Sequence, residues 1–188
     1  MKKLFFFILA LSLASTWTVN AQTMDYYTGK SSVKGDGYEY KVVFETKYKV
    51  PMMFLRNVNN TRFDARQYWP NGDVVGYDAA YAARFIDVKQ GVKAFRQVFS
   101  LDEIAAMKRV KGLSIAMEYI VSTEDGSVIE VEFHMEDNSI FKSINPDKFH
   151  LLELKLKESV KFTIDSGQIY RSLGYIKGRA NTIYIDDL

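Results

Sequence analysis

Arginine and aromatic side chains concentrate between residues 56 and 77. The group consists of Arg56, Arg62, Arg66, Tyr68, Trp69 and Tyr77. Guanidinium groups pair with carboxylates and other anions, and aromatic rings add contact area, so this composition is typical of binding hot spots. We predict a surface here that binds a partner protein or an anionic glycan. If residues 61–69 form a strand, Arg62, Asp64, Arg66 and Tyr68 share one face, and the alternative is a solvated face on which Asp64 balances the arginines.

Acidic residues in the same region raise the alternative of an enzyme. Asp64, Asp73 and Asp78 lie close in sequence to Tyr68, Trp69 and Tyr77. Glycoside hydrolases use two carboxylates that flank a cleft. The Asp64/Trp69/Asp73 region is therefore the candidate site of a glycan-binding protein or a periplasmic hydrolase. Acids in turns and aromatics in the core explain the same residues without catalysis, and we expect a non-catalytic protein.

A second group of polar residues lies on two predicted strands. It consists of Glu118, Glu130, Glu132 and His134. Carboxylates with an imidazole are a donor set for a divalent cation. The alternative is a solvated face, or one neutralised by lysines such as Lys142 or Lys155. We favour this alternative and predict neither a metal nor another cofactor.

The motifs of several enzyme classes are missing from the sequence. The chain has no cysteine and two histidines, so it has no cysteine nucleophile and no disulfide or Cys-based zinc site. It contains no G-x-S-x-G serine motif and no phosphate-binding glycine loop. These absences also favour a binding role over catalysis.

Residues 1–21 have the features of an export signal. Lys2 and Lys3 precede the apolar run Leu4–Ala14, and Val19-Asn20-Ala21 provides a small-residue cleavage site. This run is shorter than the roughly 20 apolar residues that span a membrane. We predict cleavage after Ala21, localisation in the bacterial periplasm or secretion, and no transmembrane segment in the mature chain.

Charge is distributed unevenly along the remaining chain. The formal net charge of +2 comes from Lys2 and Lys3, so the mature chain is neutral, which excludes a globally basic nucleic-acid-binding protein. Residues 22–99 contain 12 basic and 8 acidic side chains, whereas residues 100–188 contain 11 basic and 15 acidic ones. We predict a β-rich N-terminal part, 22–99, and an α+β C-terminal part, 100–188, that together form one compact domain.

The N-terminal part is predicted to be a meander of strands. Residues 37–50 alternate apolar and polar side chains, as a half-buried antiparallel strand does, and Pro51 is expected to end that strand. Further strands are predicted over Met52–Val58, Thr61–Trp69 and Val92–Phe99, with a turn at 70–73 and a short helix over 79–87. These strands would position the arginines and aromatics described above.

The C-terminal part has clearer signals. Ser100 and Glu103 form a capping box at a helix start, and Asn145-Pro146 begins a second helix. Between them, residues 113–136 are predicted to form a β-hairpin. Pairing Met117 with Phe133 and Val121 with Ile129 keeps apolar faces together, places Glu118 opposite Glu132, and leaves a loop ending at Gly126. A strand over 160–164 and a terminal hairpin of 172–177 with 182–185 complete this part.

The predicted fold class is α+β. An antiparallel β-meander is followed by an α-β-β-α-β-β unit, with the helices on one face of the sheet. No stretch of the mature chain has the length or continuous hydrophobicity of a membrane-spanning helix.

Two stretches resemble known families. From Tyr119 onward, a strand, DGSVIEVEF, a helix and LKESVKF resemble the end of the TonB C-terminal domain, although the proline usual after that last strand is replaced by Thr163-Ile164-Asp165. The segments FSLDEIAAMK, DGSVIEVEFHM and INPDKFHLLELKLKESVKF resemble small exported bacterial proteins classed as a domain of unknown function. This resemblance implies secretion and a similar length but no activity. We therefore predict an exported, non-catalytic module that interacts with an envelope or extracellular protein.

Overall fold

A seven-stranded antiparallel sheet forms the centre of the fold. The structure is a computed structural model, and it describes residues 24–47, 49–165 and 168–188. The predicted export signal, residues 1–21, lies outside these residues. The strands of the sheet are β1 (Ser32–Gly35), β2 (Tyr38–Lys47), β3 (Val50–Asn57), β5 (Ser114–Ser122), β6 (Val128–Glu136), β8 (Tyr175–Lys177) and β9 (Asn181–Tyr184). Their order is β1-β2-β3-β6-β5, and both β8 and β9 pair with the remaining edge of β5. Strands β4 (Ala83–Phe85) and β7 (Phe162–Ile164) pair with each other outside this sheet.

The helices lie outside the sheet, and the fold is α+β as predicted. They are α1 (Gln90–Val98), α2 (Leu101–Met107), α3 (Ser139–Lys142), α4 (Pro146–Ser159) and α5 (Gln168–Arg171), with 3₁₀ turns at Tyr77–Ala82 and Ile185–Asp187. In the described part of the chain, no helix is long and apolar enough to cross a membrane.

Helix α4 closes the hydrophobic core. Phe149, Leu152 and Leu156 recur with helical spacing and are fully buried, and the Phe149 ring lies 5.4 Å from the ring of Phe133 on β6. Each such side chain contributes about 1.5–3 kcal/mol when removed from water. Asn145 caps the helix by accepting a hydrogen bond from the Asp147 backbone N–H, and Pro146 occupies the first turn, as predicted.

The hairpin of β5 and β6 has the predicted register over most of its length. Met117 lies opposite Phe133 and Glu118 opposite Glu132. Near the turn the register shifts between Ile120 and Val121, so Val121 pairs with Val128 rather than with Ile129. The predicted Val121–Ile129 pair is therefore wrong, because a bulge leaves Ile129 unpaired and turns Val128 into the core.

Four other local predictions are also wrong. Pro51 lies within β3, near the start of the strand, where a missing N–H costs little. Residues 61–69 contain a turn at 62–64 and an isolated bridge at Tyr68 rather than a strand. Residues 92–98 belong to α1, whose buried positions Gly91, Ala94, Phe95 and Val98 have helical spacing. Strands β8 and β9 both pair with β5 rather than forming a hairpin together.

Candidate functional site

The connection between β3 and β4, residues 58–82, crosses the outer face of the sheet and creates the most distinctive surface of the molecule. It is fixed by side chains at three places. Asn60 donates a hydrogen bond to the Val131 carbonyl at 2.8 Å, and the Arg62 backbone N–H donates to the Glu130 carboxylate at 2.9 Å. Further along, Gln67 Nε2 donates to the carbonyl of Tyr175 on β8 at 2.7 Å. The connection is therefore anchored to the sheet although it contains little regular structure.

A groove opens between this connection and strands β5 and β8. Its main cavity, of about 250 Å³, has walls that include Arg62, Arg66, Gln67, Tyr77, Tyr175 and Lys177. Ile120 of β5 also lines this cavity. A second cavity of about 200 Å³ is lined by Tyr81 and Arg179, and it shares Tyr77 and Ala80 with the first. We call these two neighbouring cavities the basic groove.

Two cations of the basic groove are held by carboxylates beneath them. Arg62 lies 2.9 Å from the buried carboxylate of Glu130, and its guanidinium lies over the Tyr175 ring at 5.4 Å. Lys177 Nζ lies 2.6 Å from Glu118 Oε2. Both positive groups are therefore positioned before any ligand arrives, and each is partly neutralised.

Two other cations are free to pair with a ligand. Arg66 is exposed and forms no ion pair with another described residue. Arg179 is also exposed, and its guanidinium lies 5.5 Å from the Tyr81 ring centre. Since neither has a carboxylate partner among the described residues, each of the two cavities carries unbalanced positive charge.

Two tyrosines are exposed between these cations. Tyr77 is 70% exposed and Tyr81 is 59% exposed. Their ring centres are 6.4 Å apart and the rings are nearly perpendicular, at 87°. Rings this exposed contribute little to the core, so their contact area is available to a ligand.

The structure brings together three of the six predicted binding residues. Arg62, Arg66 and Tyr77 line the basic groove, whereas Arg56 forms a two-point ion pair with Asp64, at 2.9 and 2.5 Å. The predicted shared strand face of Arg62, Asp64, Arg66 and Tyr68 is wrong, because residues 61–69 do not form a strand.

The two remaining predicted aromatics lie on a separate turn. Tyr68 forms a bridge with Val74, and the intervening residues make the predicted turn. Tyr68 is exposed, and the half-buried ring of Trp69 packs edge-on against Tyr170 at 5.6 Å. Trp69 therefore fixes the turn against α5.

Sequence reasoning missed several residues of the groove. Tyr175 and Lys177 enter it because β8 pairs with β5, and Arg179 lies two residues after the end of β8. The sequence predicts only that residues 172–177 pair with residues 182–185, and it predicts no contact with residues 62–77. The exposed Tyr81 lies in the alanine-rich stretch 79–87, for which a short helix is predicted. That prediction is wrong, because a 3₁₀ segment ends at Ala82 and strand β4 follows it.

The predicted acidic face exists, but basic residues neutralise it. Glu118 and Glu132 lie opposite each other, with His134 Nδ1 3.6 Å from the first and His134 Nε2 3.8 Å from the second. Lys177 pairs with Glu118, and Arg56 lies 3.9 Å from Glu132. The fourth member, Glu130, pairs with Arg62 as described above.

Other lysines were expected to neutralise this face. Lys142 and Lys155 pair instead with Asp137 and Glu158, so that expectation is wrong. Within the described residues, no group of three or more His, Cys, Asp or Glu side chains is placed to hold a metal ion.

The acids of the alternative hydrolase site have local partners. Asp64 pairs with Arg56, and Asp73 accepts a hydrogen bond from Asn71 at 2.7 Å within the turn. Asp78 lies in the first turn of the 3₁₀ segment Tyr77–Ala82. These contacts are those of acids that stabilise turns and loops.

A buried polar cluster lies on the opposite face of the sheet. Glu153 of α4 is fully buried and accepts hydrogen bonds from Tyr40, from Asn60 at 3.0 Å and from Lys157 at 2.6 Å. Burial, followed by the charge of Glu153, raises the pKa of Tyr40 above its ordinary value. Asn60 also binds the Val131 carbonyl, so this cluster ties α4 to the start of the β3–β4 connection.

Comparison with known proteins supports the fold. Neither a protein-family model nor a curated protein matches the chain. Among solved structures, a DUF5043 family protein from Bacteroides uniformis has a TM-score of 0.67 to this chain at 18% identity. The alignment covers 86% of this chain and 88% of that chain. At this identity the likeness shows the fold alone, and it agrees with the resemblance of the sequence to a domain of unknown function.

Proposed function

We propose that the protein is an exported, non-catalytic binding protein of the bacterial envelope or exterior, and that the basic groove binds an anionic group of its partner. The observation that carries this proposal is the placement of Arg66 and Arg179, which have no carboxylate partner among the described residues, in the same two cavities as the exposed rings of Tyr77 and Tyr81. Guanidinium groups next to aromatic rings bind anions with both charge and contact area.

The positions of Arg62 and Lys177 favour binding without a large rearrangement. Their carboxylate partners, Glu130 and Glu118, hold them at the groove wall. Side chains that are already ordered lose less conformational entropy when a ligand binds. The groove is therefore prepared for an anion before the partner arrives.

Binding is favoured over hydrolysis by the surroundings of the nearby acids. Asp64 and Asp73 are engaged by Arg56 and Asn71. A hydrolytic pair needs one carboxylate that is free to attack or to activate water and another that donates a proton. The groove walls instead contribute arginine, lysine, glutamine and tyrosine.

Export is supported by the composition of residues 1–21 and is tested separately. The mature protein from a bacterial host should be found outside the cytoplasm, and its mass should correspond to an N-terminus at Gln22. Recovery of the uncleaved chain in the cytoplasm would contradict export without affecting the binding proposal.

The binding proposal is tested with a double variant, Arg66→Ser with Arg179→Ser. Calorimetric titration with a panel of polyanions (polyglutamate, oligogalacturonate, a heparin-derived oligosaccharide) should show that the parent protein binds at least one of them and that this binding weakens as salt rises. The double variant should lose this binding, whereas Arg109→Ser, which removes an exposed arginine outside the groove, should retain it. Equal binding by the parent and the double variant would rule out the groove as the site.

A further inference from the structure

We infer that the ligand of the basic groove is an acidic oligosaccharide, a chain of sugar rings that carry carboxylate or sulfate groups. This inference rests on the proposed function and specifies the ligand of the same site. It follows from three features of the groove: its exposed tyrosines, the occupied Tyr175 carbonyl at the start of β8, and its two neighbouring cavities.

The tyrosines require a ligand with apolar surface close to its charge. Tyr77 and Tyr81 are largely exposed and lie within one groove with Arg66 and Arg179. A sugar ring has an apolar C–H face that packs on an aromatic ring, and an acidic sugar carries its anion on the same ring. In an acidic peptide, by contrast, the charged side chains and the apolar side chains are different residues.

The strand beside the groove is closed to an added peptide at its first residue. Peptides often bind by adding a strand to a sheet edge, which requires free main-chain donors and acceptors. Here the Tyr175 carbonyl at the start of β8 already accepts a hydrogen bond from Gln67 at 2.7 Å. One main-chain acceptor of this short strand is therefore already occupied, which favours recognition by the side chains of the groove.

The groove offers two small neighbouring cavities, as a ligand with repeated units would require. The two cavities, of about 250 and 200 Å³, are each smaller than the roughly 300–1,000 Å³ typical of small-molecule sites. Tyr77 and Ala80 line both cavities, so the two are neighbours, with Arg66 in the first and Arg179 in the second. Anions on successive rings of a chain would meet these two arginines while the tyrosines contact the sugar faces.

The test compares four probes on the intact protein: oligogalacturonate, a heparin-derived oligosaccharide, a neutral malto-oligosaccharide of matched length, and polyglutamate. At least one acidic sugar should bind, and the neutral sugar and polyglutamate should bind about tenfold more weakly or not at all. Tyr77→Ala should weaken binding of the acidic sugar by about tenfold. Tyr77→Phe keeps the ring and should bind like the parent. Tyr184→Ala, which removes an exposed tyrosine of β9 outside the groove, serves as the matched control.

The outcomes separate this inference from the proposed function. Polyglutamate binding as tightly as the acidic sugars, with loss in the double arginine variant, would overturn the sugar assignment and leave the anion-binding proposal standing. Acidic-sugar binding that is unchanged by Tyr77→Ala would also overturn the sugar assignment. The absence of binding by every polyanion would overturn both. Thermal melting of each variant verifies that the fold is intact, as expected for substitutions of exposed side chains.

Discussion

Glu118 of β5 lies directly opposite Glu132 of β6, and each of the two carboxylates has its own basic partner. Lys177 reaches Glu118 from β8, Arg56 approaches Glu132 from β3, and His134 lies between the two acids. Like charges opposite each other destabilise a sheet unless they are compensated. The repulsion thus gives Lys177, a wall residue of the basic groove, a structural role as well.

Replacement of Lys177 should therefore destabilise the fold through Glu118. Lys177→Met should lower the free energy of unfolding by about 1–2 kcal/mol, because it leaves a mostly buried carboxylate facing Glu132 without its cation. Glu118→Gln in the same chain should restore most of the loss, giving a coupling energy of about 1 kcal/mol in a double-mutant cycle measured by urea unfolding.

The matched control for that cycle is the exposed pair of Lys93 and Asp87. Their side chains are 66% and 38% exposed, and Lys93→Met should change the free energy of unfolding by less than about 0.5 kcal/mol. Additive effects of Lys177→Met and Glu118→Gln would show that the two residues are not energetically coupled.

The carboxylate of Glu153 should be essential for stability. Glu153→Ala leaves the buried donors Tyr40, Asn60 and Asn57 without their acceptor. Removing one partner of a buried charged network costs about 3–5 kcal/mol. Because Asn60 lies near the start of the β3–β4 connection, the variant should also make this connection more sensitive to limited proteolysis.

Glu158 of the same helix provides the control for Glu153. Its exposed carboxylate pairs with Lys155, and Glu158→Ala should cost no more than about 0.5 kcal/mol in denaturant unfolding. Similar losses for both variants would indicate that helix propensity, rather than the buried network, accounts for the effect of Glu153→Ala.

Local signals predicted the capped helices and the central hairpin. The capping box of Ser100 and Glu103 has both of its hydrogen bonds, and Gly126 adopts the left-handed conformation at the end of the β5–β6 turn. Such features depend on a few adjacent residues. The predicted register held where apolar faces had to match and failed near the turn, where a bulge changes the spacing.

The groove depends on contacts between distant residues, which explains why it was only partly predicted. Arg62 reaches the groove through its ion pair with Glu130 of β6, and Lys177 reaches it because β8 pairs with β5. No local sequence pattern specifies that pairing. The helix over residues 92–98, by contrast, could have been predicted instead of a strand, because Val92, Phe95 and Val98 have helical spacing. The burial of Glu153 could also have been predicted, because Glu153 lies next to Leu152 on the apolar face of α4.

Acid should weaken the start of helix α2 through Glu103. Burial tends to raise the pKa of Glu103, but hydrogen bonds from the Ser100 backbone and from Lys148 outweigh it and lower that pKa below its ordinary value of 4.5. The unfolded chain therefore binds a proton first as pH falls. The stabilisation is complete above the ordinary value and is lost as pH falls through the lower, folded-state pKa.

Glu103→Gln tests this pH dependence. The variant should lose less stability than the parent between neutral pH and pH values below 4.5, as measured by urea unfolding across that range. Glu124→Gln, at an exposed position in the β5–β6 turn, should follow the parent. Identical pH profiles for the parent and Glu103→Gln would contradict the proposed role of the capping-box carboxylate.

Gly126 should tolerate no side chain, for two separate reasons. Its φ of +69° is strained for other residues, and an added Cβ would lie 1.9 Å from the Phe162 carbonyl oxygen. The same turn docks on β7 because the Phe162 N–H donates to the Gly126 carbonyl at 2.9 Å. Gly126→Ala should therefore lower the free energy of unfolding by about 2–4 kcal/mol.

A variant at Gly112 separates the effect of backbone strain from the effect of the steric clash. Its φ of +79° is similar, but an added Cβ would meet nothing within 4 Å. Gly112→Ala should cost only the backbone strain, about 1–2 kcal/mol. The difference between the two alanine variants in denaturant unfolding then measures the close approach of Gly126 to Phe162. Equal losses would mean that β7 shifts to accommodate the methyl group, and that the docking of the β5–β6 turn on this strand contributes little to stability.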